Sequence, residues 1–471
     1  MSPVLLLLAL TALRWVVAGL VPLAPDEAYY WIWSRALQPG YLDHPPMVAL
    51  WIRLGTALAG DTALGVRLMG PLAGLIGSLM LADAANRLYP VQRPGVAAAA
   101  LLNATLMLGV GTVTMTPDTP LLFFAVATLW ALARVEADPR WWLAVGVAVG
   151  AALDSKYTGA LLAVAPVLWL AGQRRWDGLR TPYLWLGAAV AAALFAPVVV
   201  WNAQHSWVSF AKQGGRTGDW QPQAAVQHVT ELIGGQIGLA TPLIFALFAA
   251  GLWRATASAR RDKSGLLLAS LAVPGLVVFA EHALGARVQA NWLAILYPPL
   301  AVGAAVVRAR WTWAAIGLGF ALTAVVYLQG TMAPFPLPRR ADPTLIRLAG
   351  WGELATDADR LRHANGLAFL ASEDYSLAAE LAWWAPPGVA VVGAEARWRL
   401  FRLEAAPPRT GLLLISDRRR DGPDPAVWAD PVELGGLTRA RAGVEAERFR
   451  VYRVTVRIGA PAVTLPRPGG E

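Results

Sequence analysis

Predominantly apolar stretches of roughly twenty residues recur along the first 330 positions of the chain, and such stretches are long enough to cross a hydrocarbon core about 30 Å thick. Inside a bilayer every backbone N–H and C=O must find a partner within the protein, so helices are the natural solution for these segments. The approximate spans are 4–23, 62–85, 95–115, 118–134, 141–155, 157–172, 182–201, 237–253, 264–281, 291–307 and 311–330, about eleven in all. The fourth, fifth and sixth are short for a crossing. With 56% hydrophobic and 15% charged residues over 471 positions, the chain is too apolar for a soluble globular protein and reads as a mainly α, polytopic transmembrane one.

The first stretch, Val4 to Leu23, competes with a cleaved signal peptide. No Lys or Arg precedes it and it exceeds a usual signal core, so it reads as an anchor. The net charge of +9 does not indicate nucleic acid, because the arginines fall in short loops between apolar segments. Arg87, Arg93, Arg134, Arg140, Arg174, Arg254, Arg260, Arg261 and Arg310 belong to one alternating set of loops. The positive-inside rule makes that set cytoplasmic, which puts the N-terminus inside and everything after the last span outside. The chain has no Cys, which excludes disulfides and thiol chemistry, and its 22 Trp suit membrane–water interfaces.

This topology gathers the acids on the outer face: Asp26, Glu27, Asp43, Asp118 and Asp154, with His44, Lys156, Lys212 and Arg216. The expected organisation is a membrane domain over 1–330 with outer loops 24–61 and 202–236, then an extracytoplasmic α/β domain over 331–471. In the latter, "GLAFLAS", "GVAVVGA", "GLLLIS" and "RFRVYRVTV" read as strands and "SLAAELAWW" as a helix. "PFPLPRRADP" reads as a linker, and the tail "GAPAVTLPRPGGE" as loose.

Each polar motif has a structural and a chemical reading. Asp26 and Glu27 suit the first turn of an interfacial helix whose Tyr29, Tyr30, Trp31 and Trp33 form an aromatic belt, yet acids beside a bilayer are costly enough to point to function. In "YLDHPPM", Asp43 and His44 stand before two prolines at a helix start, as a cap, as ligands of a divalent metal ion, or as a phosphate site. Asp118 in "MTPDTPLLFF" is a helix start signal. Asp154 and Lys156 in "LDSKYTGALL" fit a structural role least comfortably. The Gly-rich loop with Lys212 and Arg216 can close on an anion. Acids to act as base, cations to hold phosphate and an apolar body to hold a lipid tail together suit a lipid phosphate bearing a transferable group.

From "APDEAYYWIWSRAL" through "YLDHPP", "TPDTPL" and "SKYTGALL" to "NWLAILYPPL", the chain resembles the GT-C superfamily of integral-membrane glycosyltransferases. It is most similar there to the bacterial branch of protein O-mannosyltransferases and the lipid A aminoarabinose transferase, and "ASEDYSLAAELAWW" is similar to a related bacterial subgroup. The resemblance implies a GT-C-like fold and sugar transfer from a polyprenyl-phosphate donor to an envelope acceptor (lipid A, glycolipid, polysaccharide or protein) at the periplasmic face of the inner membrane, with inversion. It implies Asp26 as the catalytic aspartate with Glu27 as its companion, Asp118 as a second catalytic acid, and Tyr41, His44, Lys156 and Arg216 around the donor phosphate. Asp43 stands at a metal-binding acid, so a divalent metal ion is the one cofactor expected. A polytopic transporter or flippase of lipid-linked glycans is the rival reading. A transporter would show broken segments at mid-membrane in two related halves, whereas here charges gather at one rim and no repeat is visible.

Overall fold

The computed structural model describes residues 2–174, 176–214, 222–307 and 309–469. It divides into two compact units, one comprising residues 1–16, 39–51 and 67–327, the other residues 17–38, 52–66 and 328–471.

The first unit is helical. Across the described residues, six helices are long and apolar enough to cross a membrane, and a seventh span arises if one bent pair is counted as one. Helices at Met47–Ala59, Asp118–Leu132, Trp141–Ser155 and Tyr157–Gly172 are apolar but shorter. The expected positions therefore recur as helices, while the number that meets the length requirement is smaller than eleven. Two expected spans are interrupted for identifiable reasons. The 95–115 stretch divides into Gly95–Asn103 and Leu106–Gly111, because the Thr105 side chain caps a new helix by accepting the Leu108 N–H at 3.2 Å. The 237–253 stretch belongs to Pro222–Ala240 and Pro242–Ser258, bent by 106°. Pro242 disfavours helical geometry at the residue before it, and Thr241 takes φ +72°.

Small residues set the closest helix approaches. A Cβ on Gly146 would lie 2.1 Å from the Gly187 carbonyl oxygen, and one on Gly251 would lie 2.4 Å from Ala304 N. Backbones this close give up side-chain volume for dispersion contact, as lipid-embedded helices commonly do. One buried charge is tied in the same unit: Arg14 donates to Asn103 Oδ1 at 2.7 Å, and Asn103 donates to Ser78 at 2.7 Å.

The second unit carries a six-stranded mixed sheet of β1 (Phe369–Ser372), β2 (Ala390–Gly393), β3 (Thr410–Ser416), β4 (Trp428–Arg441), β5 (Val444–Val456) and β6 (Val463–Thr464), in the order β4-β5-β3-β1-β2-β6. β1 pairs in parallel with β2 and β3, and the other pairings are antiparallel. Helices Trp351–Ala364 and Tyr375–Trp384 accompany the sheet, whose core holds Phe369, Leu413, Ile415, Trp428 and Val454. The four expected strands and the "SLAAELAWW" helix are present. β4 had no apolar run to mark it, because it is an edge strand, largely exposed and bulged against β5. The tail is not loose throughout: Val463 and Thr464 pair with β2, and Leu465 N–H donates to the Val391 carbonyl at 2.9 Å.

Candidate active site

In the helical unit, the Trp141–Ser155 helix stops at Lys156, whose extended backbone (φ −161°, ψ 144°) turns into the short Tyr157–Gly159 helix. That break aims the Lys156 ammonium at the first residue of the Asp118–Leu132 helix: Nζ lies 2.7 Å from Asp118 Oδ1. Asn291 Nδ2 donates to the other oxygen, Oδ2, at 2.6 Å. Asp118 is 4% exposed and Lys156 6%, so this is a buried ion pair with an amide closing the second lone-pair set. The Trp292 ring lies 5.9 Å from the ammonium. Asp118 also lines an open cleft with Gly70, Gly74, Thr112, Thr119 and Phe123.

Asp43 is held from the Val208–Gly214 helix. Lys212 Nζ lies 2.5 Å from Asp43 Oδ1, and Gln213 donates to the Asp43 carbonyl at 2.7 Å. That helix is tied in turn to the Lys156 turn, since Tyr157 and Ser209 share a hydroxyl hydrogen bond of 2.6 Å. Gly40, just before Tyr41, packs so closely on Trp201 that a Cβ would meet the indole at 2.8 Å. Tyr41 is buried and His44 half-buried. Arg216 lies outside the described residues. Among the described residues no three His, Cys, Asp or Glu side chains group as metal ligands. Asp43, with an ammonium already on one oxygen, does not fit a divalent ion, which wants several oxygen ligands.

The second unit holds the Pro25–Arg35 helix, and its two acids diverge. Glu27 is 1% exposed, and its Oε2 accepts the Ala24 N–H at 3.0 Å, capping the helix entry. Asp26 leaves the first turn half-exposed, with Arg347 Nη1 3.2 Å from Oδ2 and the Tyr375 hydroxyl 3.5 Å from Oδ1, the outer limit of a hydrogen bond. The aromatics expected to form a bilayer belt are buried in protein: Tyr29 stands 4.7 Å from Tyr375 and 5.6 Å from Trp398, and Trp31 5.2 Å from Trp383, ring to ring. Trp31 Nε1 donates to Asp61 at 2.9 Å, and Arg35 lies 3.4 Å from the same oxygen. Asn291, Arg347 and Tyr375 escape a reading of the sequence. Asn291 sits in a stretch that looks like a plain helix entry, and the other two are separated from Asp26 by more than three hundred positions.

Residues 43–201, from Asp43 through Asp118 and Lys156 to Trp201, match the family described as dolichyl-phosphate-mannose-protein mannosyltransferase. The matched stretch covers about a third of the chain. The chain is a multi-pass membrane protein. The chain is 27% identical over 374 residues to lipid A galacturonosyltransferase RgtD of Rhizobium johnstonii, covering 76% of each chain. Its fold is similar to that of ArnT from Cupriavidus metallidurans. The apo structure matches with a TM-score of 0.63 at 18% identity, over 95% of this chain and 97% of that one. The structure bound to undecaprenyl phosphate matches with a TM-score of 0.61 at the same identity and coverage. Asp26 precedes the family-matched stretch.

Proposed function

We propose that the enzyme transfers a sugar from an undecaprenyl-phosphate donor to lipid A at the periplasmic surface, with inversion at the anomeric carbon. The observation that carries the acceptor is the likeness to a lipid A galacturonosyltransferase over three quarters of both chains. The donor carrier is supported by the fold shared with an undecaprenyl-phosphate-binding protein.

In this reading an acceptor hydroxyl oxygen attacks the anomeric carbon from the face opposite the phosphate. The carbon–oxygen bond to phosphate breaks, its electron pair leaves with undecaprenyl phosphate, and the hydroxyl proton passes to the Asp26 carboxylate. Lys156 supports the negative charge on the departing phosphate, a task for preorganised electrostatics. An ammonium has three donors and Asp118 takes one, so Asp118 acts by holding Lys156 rather than by touching the sugar. Lys212, Tyr41, His44 and Arg216 complete the phosphate site in the same proposal. Glu27, committed to the helix entry, keeps the turn beneath Asp26 in place.

The domain division at residue 330 and the orientation with the N-terminus inside belong to this reading as well. Mass spectrometry of lipid A from a strain lacking the gene, beside the parent, tests the acceptor. Loss of one glycosyl mass from lipid A, restored on complementation, is expected. Unchanged lipid A with a sugar missing from protein or polysaccharide overturns it.

A further inference from the structure

The "ASEDY" run that opens the Tyr375–Trp384 helix has a task for each of its polar side chains. Ser372 Oγ accepts the Asp374 N–H at 3.1 Å. Glu373 accepts from Trp428 Nε1 at 2.9 Å and from Asp424 N at 2.7 Å, and pairs with Arg419 at 2.9 Å. Asp374 caps the helix, its Oδ1 taking the N–H groups of Ser376 and Leu377 at 2.9 Å each. These three stabilise the domain they belong to. Tyr375 reaches Asp26 on the Pro25–Arg35 helix of the same unit.

Its placement is over-determined. The Tyr375 N–H donates to Glu395 Oε2 at 3.2 Å, and Glu395 Oε1 lies 2.7 Å from Arg397 Nε. The Arg397 guanidinium stacks 3.6 Å from the Tyr375 ring centroid and donates to the Tyr29 hydroxyl at 3.4 Å. Tyr375 is thus fixed between an arginine and the helix that carries Asp26. Arg347 is fixed independently. Its short helix, Pro343–Leu348, is capped by Asp342, which accepts from Thr344 N at 3.0 Å and Leu345 N at 3.1 Å. Buried Arg439 gathers the carbonyls that end it, at 2.6 Å from Ala349, 2.8 Å from Ile346 and 3.3 Å from Leu345. An added Cβ on Gly350, at φ +74°, would crowd the Ala440 carbonyl at 2.7 Å, so the turn that follows is also set.

We infer that Tyr375 and Arg347 are positioning residues for the Asp26 carboxylate, so that residues of the C-terminal region take part in the transfer reaction. The inference rests on Asp26 being the base. Each carboxylate oxygen is addressed from a different element, which selects one orientation of the side chain. A carboxylate has about four acceptor positions, so both contacts leave room for the acceptor hydroxyl. Loss of a second-sphere contact of this kind disturbs the geometry in which the base meets its proton, and so the turnover more than the binding.

Full-length enzyme in nanodiscs, with undecaprenyl-phosphate-linked galacturonic acid as donor and lipid A as acceptor, tests this. Tyr375→Phe keeps the ring between Arg397 and Tyr29 and removes only the hydroxyl. Arg347 is largely exposed, so its replacement removes little packing. Expected is a fall in kcat on the order of tenfold for Tyr375→Phe and for Arg347→Ala, with KM for the donor and the affinity for undecaprenyl phosphate unchanged. Arg347→Lys should recover part of the rate. In an Asp26→Asn background neither change should lower the residual rate further. Wild-type kcat in Tyr375→Phe and Arg347→Ala, with Asp26→Asn inactive, overturns the inference and leaves the base assignment standing. Near-normal turnover in Asp26→Asn removes both. Equal losses in the presence and absence of the Asp26 carboxylate also overturn it, since a purely structural role behaves that way.

Discussion

The Lys156 ammonium and the Asp118 carboxylate lie 2.7 Å apart in a site almost closed to solvent, with Asn291 on the far carboxylate oxygen. A buried pair of this kind gives little net stability, but removing one partner leaves the other charged and unpaired. Lys156→Ala is therefore expected to destabilise the enzyme by about 3–5 kcal/mol in thermal unfolding, while Lys156→Met with Asp118→Asn recovers most of the loss. Undecaprenyl phosphate binding should stay weak in both. Equal stability of the single and double variants would contradict the pairing, and normal binding in the double variant would remove Lys156 from the phosphate site.

The Lys212–Asp43 pair is different in kind, because both side chains are partly solvated. Lys212→Ala should cost no more than about 1 kcal/mol of stability. If its ammonium also serves the donor phosphate, affinity for undecaprenyl phosphate falls about tenfold, the scale of one charge-assisted contact. Isothermal titration in detergent micelles reads both arms, and unchanged affinity would confine Lys212 to holding Asp43.

Asp342 gives a pH signature. Burial pushes its carboxyl up, but hydrogen bonds from Thr344, Leu345 and Gln329, and the charge of Arg441 2.5 Å away, outweigh burial and hold it below its ordinary value. A carboxyl with a depressed folded pKa contributes stability that is complete above its unfolded value, about 3.9, and is lost as pH falls through the folded value. Melting temperature measured from pH 6 downward should drop more steeply in the wild type than in Asp342→Asn. Parallel curves would show that the carboxylate contributes no linked stability.

Gly411 on β3 faces the Phe369 ring so closely that an added Cβ would lie 2.1 Å from it. Gly411→Ala should cost about 1–3 kcal/mol through overpacking at the centre of the sheet. Limited proteolysis cutting within 331–471 faster than in the wild type checks it, and unchanged protection counts against it.

The helical architecture was legible because hydrophobic length is a local property: helices lie close to the expected spans. What broke two of them, the Thr105 cap and the Thr241–Pro242 bend, depends on short polar or proline signals that an apolar window averages away. Strands β1, β2, β3 and β5 were legible as apolar runs, whereas β4 is visible only through its pairing with β5. At the site, Lys156 was marked by the cost of charge in apolar surroundings and Asp118 only as a helix start, but their pairing and the Asn291 amide depend on three distant helices meeting. Glu27 and Asp26, adjacent in sequence, were told apart only through the family resemblance, and their surroundings depend on the fold. One turns inward to cap the helix, and the other faces Arg347 and Tyr375.

The central claim is that the Asp26 carboxylate receives the acceptor proton in sugar transfer. Single-turnover transfer from an undecaprenyl-phosphate-linked sugar donor to lipid A by purified wild-type and Asp26→Asn enzyme tests it most directly. The account predicts a rate lower by at least about a hundredfold in Asp26→Asn, the usual scale for loss of a general base, with undecaprenyl phosphate bound as tightly as before. A variant that transfers within a few-fold of the wild-type rate would contradict it.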